Sequence, residues 1–226
     1  MVPFCVPVCA RVPLGLLGLA LLSACSVGPN FVVKDEPRLA DEERACLASG
    51  SVRQTGFIRT RASLGAPSAC GAEQPFEMAA ADGGRVFLRP VALLRCPMIP
   101  QVDRWVVNVI EPAARRTFGA SLAEITVAGS YACRPMNHVS GGYLSEHGRA
   151  NALDVSAFTL TDGTRISVKR GWSGDWRERS FLRAVHDGAC AQFSTVLGPD
   201  YDGNHHDHFH VDLAYRGPDG LRTVCK

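Results

Sequence analysis

The sequence predicts an α+β domain with a mostly antiparallel sheet and flanking helices, on three observations. Apolar and polar residues alternate, as in half-buried strands, over 123–131, 152–168 and 208–215. Helical spacing governs 101–119 and 180–193. Strands outnumber helices and do not alternate with them in the rhythm of a parallel sheet. A length of 226 residues, with 46% hydrophobic and 20% charged residues, gives one compact domain plus appendages. The net charge of +2 leaves no electrostatic case for a nucleic-acid partner.

From the N-terminus, Arg11 precedes an apolar run from Val12 to Leu22. That run is too short to cross a hydrocarbon core of about 30 Å, and it reads as an export signal. It ends in "LSAC", Leu22–Cys25, which resembles the bacterial lipobox, in which the cysteine is lipidated and becomes the first residue. Residues 1–24 are then a lipoprotein signal peptide and Cys25 a membrane anchor. No Asp follows Cys25, which resembles lipoproteins sorted to the outer membrane. The polar stretch 25–67, with the run "KDEPRLADEER", reads as a tether, with Cys46 pinning one point.

The domain occupies 68–226. "RVFLRPVALL" (85–94) predicts a short strand or irregular segment. Val102, Trp105, Val106, Val109, Ile110 and Ala113 form a helical stripe that closes near Gly119. "AEITVAGSY" predicts a strand, "ALDVSAFTL" and "TRISV" a hairpin around "TDG", and "SFLRAVHDGACAQF" a helix. "HFHVDLAY" predicts the last strand.

Cys5 and Cys9 leave with the signal and Cys25 carries lipid, so six cysteines remain: Cys46, Cys70, Cys96, Cys133, Cys190 and Cys225. An even number in an oxidising compartment predicts three disulfides, with fifteen possible pairings. More than 20 residues separate each neighbouring pair, which disfavours a zinc–thiolate site.

Four of the seven histidines fall in "HHDHFH", 205–210. On a strand, His208, His210 and Asp212 share one face, while Phe209, Val211 and Leu213 share the core face. "SEHGRANALDV", 145–155, adds His147 in a loop and Asp154 on a strand face opposite Leu153 and Val155. His147, Asp154 and one strand histidine form a set of two imidazoles and a carboxylate, the pattern of a catalytic zinc with one open position. His138 and His186 stand alone and read as surface or capping residues; His206 reads as solvent-facing.

These two stretches resemble the S-x-H-x(6)-D and H-x-H motifs of the zinc peptidases that cleave D-Ala-D-Ala and related peptidoglycan cross-links, a group that includes lysostaphin-type enzymes and the hedgehog domain. "YACRPMN", the 145–163 run and "GPDYDGNHHDHFHVDLAYR" resemble the bacterial extensin-like C-terminal domain family, over about 70–225. The resemblance implies the hedgehog/D,D-peptidase-like fold and one Zn²⁺ held by His147, Asp154 and His210. It implies His208 or Asp207 as the base, with strand alternation favouring His208. Arg134 would hold a substrate carboxylate with Ser145 as its helper, and His205 would hydrogen-bond a tetrahedral intermediate. The family's usual glycine three residues after the ligand histidine is Ala150 here. Cys133 reads as a disulfide that pins the Arg134 strand. The expected activity is hydrolysis of peptidoglycan stem peptides or cross-links by a periplasmic lipoprotein. The alternative is a non-catalytic metal-stabilised module that binds the wall or a protein.

Overall fold

Part of the stretch expected as a tether is structured. The computed structural model describes residues 30–34, 36–65, 69–217, 220 and 222–226; the leader and Cys25 lie outside the described residues. Helix α1 (Pro37–Ser49) ends on left-handed Gly50, and strand β1 (Ile58–Thr60) joins the sheet. Leu39 and Glu43 of α1 are buried. Glu43 pairs with buried Arg95 at 2.8 Å, and Cys46 is bonded to Cys96. Composition conceals this helix because its buried face, positions 39, 43 and 46, carries a carboxylate in the middle. That charge is tolerated inside because Arg95 meets it.

The chain continues through β2 (Phe76–Ala81) and β3 (Val86–Leu94). The nine-residue β3 is longer than the short segment expected; its pairing with β2 breaks between Phe87 and Ala92, the stretch that holds Pro90. One helical segment follows: α2 (Met98–Trp105), a wide π-type turn (Val106–Ile110) and α3 (Glu111–Phe118). It stops at left-handed Gly119, as the spacing predicts. The wide turn precedes Pro112, which has no N–H for the regular helical ladder. Trp105, the centre of the buried stripe, donates Nε1–H to Val185 O at 3.1 Å.

Then come β4 (Leu122–Gly129), β5 (Ala152–Leu160), β6 (Arg165–Ser167), short α4 (Val168–Gly171), α5 (Trp176–Ala189), β7 (Thr195–Leu197), β8 (Phe209–Asp212) and β9 (Val224–Cys225). The sheet order is β1-β2-β3-β4-β5-β8-β7-β9, with β6 also on β5. The sheet is mixed: β3–β4 and β7–β9 are parallel, and the other pairs are antiparallel. The strands of the first parallel pair are joined by the long helical crossover that parallel neighbours need. Strand β8 is not the last, because β9 returns to pair with β7.

A bulge on β5 sets which side chains face which way. Val127 pairs with Val155 but Thr126 pairs with Ala157, so Ser156 is an extra residue. Leu153, Val155, Phe158 and Leu160 all enter the core as a result. Phe158 packs on Phe181 of α5 and on Phe209 of β8. Among the described residues, no helix is long and apolar enough to cross a membrane.

Candidate functional site

His147 lies in a one-turn 3₁₀ helix, Glu146–Arg149, and not in an extended loop. Ser145 opens the turn: its Oγ accepts the His147 N–H at 3.3 Å. Ala150 closes it at φ 52°, in the left-handed region. That conformation costs an L-residue about 1–2 kcal/mol and glycine almost nothing. Asp154 and His210 are direct partners across β5 and β8. Their core-side neighbours Leu153, Val155, Phe209 and Val211 fix both strands by burial.

Three donor groups meet where the turn and the two strands converge. His147 Nε2 is 3.1 Å from Asp154 Oδ2 and 3.2 Å from His210 Nδ1, and His210 Nδ1 is 2.9 Å from Asp154 Oδ1. All three residues are buried, and together they could hold a metal ion. The remaining ring nitrogens are engaged behind them. His147 Nδ1 donates to Ser130 O at 2.6 Å, and His210 Nε2 donates to Asp212 Oδ2 at 3.1 Å. A carbonyl can only accept, so His147 Nδ1 bears a proton, and Nε2 faces the Asp154 carboxylate. A ring nitrogen and a carboxylate oxygen 3.1 Å apart in a buried place call for a metal ion or a proton between them.

Without a metal, a proton answers that demand. Burial opposes charge on His210, but the carboxylates of Asp154 and Asp212 override it and push its pKa up to about 10. Burial would raise the Asp154 carboxyl, yet hydrogen bonds from His147 and His210 hold it far below the usual range.

The donors open into a cleft of about 270 Å³. Arg134, Ser145, His205 and His208 line it. Asp207 does not: it stands outside, with Oδ1 2.9 Å from His208 Nδ1. His208 Nε2 is 3.7 Å from Asp154 Oδ1. His205 Nδ1 binds Asp202 Oδ1 at 2.7 Å, and burial lowers its pKa. Arg134 Nη1 makes a 3.3 Å bond to Pro135 O, and Ser145 N–H donates to Arg134 O at 3.1 Å. The Ser145 hydroxyl oxygen accepts the His147 N–H within the turn. His138, expected on the open surface, is exposed but lines the cleft rim; His186 is buried and its Nε2 bonds Lys226 O at 3.0 Å. His206 is exposed.

Sequence reasoning assigns no role to four contributors. Asp212 supports His210 from behind, and Ser130 supports His147 through its backbone carbonyl, which no residue type advertises. Gly129 faces Asp154 across β4 and β5, where a Cβ would lie 2.9 Å from Asp154 Oδ2. Glu146 would point away from an extended loop, but the turn carries it to the cleft wall. There it accepts from Asn151 Nδ2 at 2.6 Å, and burial, reinforced by Asp212, pushes its pKa up to about 7.

The six cysteines form three disulfides, Cys46–Cys96, Cys70–Cys133 and Cys190–Cys225. The second lies one residue before Arg134. Gly71 N–H donates to Gly148 O and Ala132 N–H to His147 O, so the bridge, the Arg134 segment and the His147 turn are tied together. The third removes Cys190 and Cys225 from a grouping with His186 that could otherwise ligate a metal.

A search of curated proteins and a search of solved structures each find no match. The family described as Extensin-like protein C-terminus matches residues 44–226, a span that starts inside α1 and takes in every disulfide and the whole cleft. The chain therefore belongs to the extensin-like protein C-terminus family.

Proposed function

We propose that this domain binds one zinc ion through His147, Asp154 and His210 and hydrolyses peptide bonds in peptidoglycan stem peptides or cross-links. One observation carries the reading: two imidazoles and a carboxylate converge beside an open cleft, with both outer ring nitrogens engaged. Zinc–nitrogen bonds of about 2.0–2.1 Å place tetrahedral ligands about 3.3 Å apart. The donor separations of 2.9, 3.1 and 3.2 Å match that edge after a small outward shift. Two imidazoles with one carboxylate suit zinc, and the cleft leaves a fourth direction free.

Bound zinc would supply Lewis acidity toward a water and a scissile carbonyl. The protein's own groups do the rest. Asp207 accepts the Nδ1–H of His208, which leaves His208 Nε2 with a lone pair toward the cleft. His208 is therefore the base that takes a proton from the attacking water and returns it to the leaving amine. Asp207 positions it, so the two candidate bases act in series. His205 is fixed the same way by Asp202. Its Nε2 is an acceptor, suited to a substrate N–H and not to the oxyanion the resemblance implies. Arg134 holds a substrate carboxylate, with its charge and planar fork as the basis for recognition.

The setting we propose is the periplasm, with the chain anchored by lipid on Cys25 to a membrane, the outer one by its lack of a following Asp. The test is mass spectrometry of material released from sacculi by the zinc-loaded chain. Released peptide fragments or D-Ala, lost in His208→Ala with zinc retained, support a peptidase. Zinc binding and co-sedimentation with sacculi, without release, identify a binding module.

A further inference from the structure

The segment closest to the anchor is built into the rim of the cleft. Asn30–Lys34 runs beside the loop 135–144: Val32 bridges Tyr143, with Val32 N–H donating to Gly142 O and Leu144 N–H to Val32 O, both at 2.8 Å. Gly141 N–H reaches Asn30 O, and the Ser140 hydroxyl reaches Asn30 Oδ1. This small ribbon carries an unusual concentration of exposed apolar groups. Val32, Val33, Met136, Val139 and Tyr143 are all exposed, Val139 by 59%. The Lys34 ammonium sits 4.5 Å above the Tyr143 ring. Apolar side chains, a ring and a cation at one edge form a composition suited to the interface of a bilayer with anionic headgroups.

Chain length says what covers it. Four residues, 26–29, lie between Cys25 and Asn30, and the steps from one to the other span at most about 18 Å when fully extended. A folded domain of this size is about 40 Å across. Such a leash is too short for the domain to turn its Asn30 edge away from the anchoring membrane.

We propose that the ribbon formed by Asn30–Lys34 and the loop 135–143 docks on the lipid bilayer that anchors the chain. This inference rests on the lipid-anchor reading of Cys25. Docking fixes the domain's orientation. Met136 and His138 belong to this loop and also line the cleft, so the cleft mouth lies at the membrane side of the domain.

The test uses the full chain, purified from a strain labelled with palmitate and reconstituted in phosphatidylethanolamine–phosphatidylglycerol vesicles with brominated acyl chains. Tryptophan is placed in turn at Val139, in the ribbon, and at Val91, an exposed site on β3. Both variants must keep the wild-type melting temperature, and the signal of the native tryptophans is subtracted. A rim held about 5–10 Å deep in the headgroup–acyl boundary should give Val139→Trp quenching about twofold or more above that of Val91→Trp. Equal quenching in a palmitate-labelled protein overturns the docking surface and leaves the anchor standing. No palmitate, or label that persists in Cys25→Ser, overturns the anchor and this inference with it.

Discussion

Gly129→Ala separates a metal centre from a hydrogen-bonded cluster of polar residues. The added methyl would stand 2.9 Å from Asp154 Oδ2, against an ordinary carbon–oxygen contact of about 3.4 Å, so the carboxylate must move by about 0.5 Å. Ligand positions in a working metal site hold within about 0.2 Å. A disturbance of that size in a ligand's surroundings corresponds to about tenfold to hundredfold in metal affinity, or about 1.4–2.8 kcal/mol. The fold itself should not suffer. Gly129 is a strand residue outside the left-handed region, and replacing a strand glycine with alanine gains about 0.5–1 kcal/mol. The two effects therefore have opposite signs. Competition with a chromogenic chelator should show weakened zinc binding, while the metal-free protein melts at the same temperature or a few degrees higher. Unchanged zinc affinity would refute the assignment of Asp154 as a ligand. A large loss of metal-free stability would instead show that Gly129 serves the fold.

Three further outcomes follow from the same geometry. His210, raised from 6.5 to about 10, contributes stability that is complete below about pH 6.5 and lost as pH rises through about 10. The metal-free protein should therefore lose on the order of a few kcal/mol across that window in thermal melts, and the zinc-loaded protein should not, since the cation replaces the proton. Asp212→Asn removes one of the two carboxylates behind that shift, so the metal-free His210 ring should titrate at lower pH by NMR; an unmoved titration would exclude the Asp212 contact. Ala150→Gly relieves a left-handed alanine at about 1–2 kcal/mol, offset by about 0.5–1 kcal/mol of unfolded-chain entropy. The net should be a gain of about 0.5 kcal/mol, visible as a slightly higher denaturation midpoint with zinc binding intact.

What could be read from the sequence follows from how far each side chain's role depends on its own neighbours. Strand β8, Phe209–Asp212, is legible because burial of Phe209 and Val211 dictates the facing of His208, His210 and Asp212. Disulfides are legible as a set, since even number and export imply them, but not as pairs. Cys46–Cys96 escapes because it needs α1, whose one buried turn is masked by Glu43. The β3–β4 crossover escapes because two scattered parallel pairs, β3–β4 and β7–β9, leave no repeating rhythm to detect.

The division of labour within H-x-H needs the register between β5 and β8, which local pattern does not carry. His210 stands directly opposite Asp154, and His208 lies one alternation beyond it. Facing made both histidines eligible as ligands; pairing makes one a partner of Asp154 and leaves the other 3.7 Å from it, facing the cleft. The same register puts Gly129, a residue with no chemistry of its own, against the Asp154 carboxylate. Turn geometry acts likewise at Glu146. An extended loop would send it outward, whereas the 3₁₀ turn capped by Ser145 winds it back beside Asn151. The donor atoms of this site are thus chosen by residue type, and their duties by which backbone atoms they face.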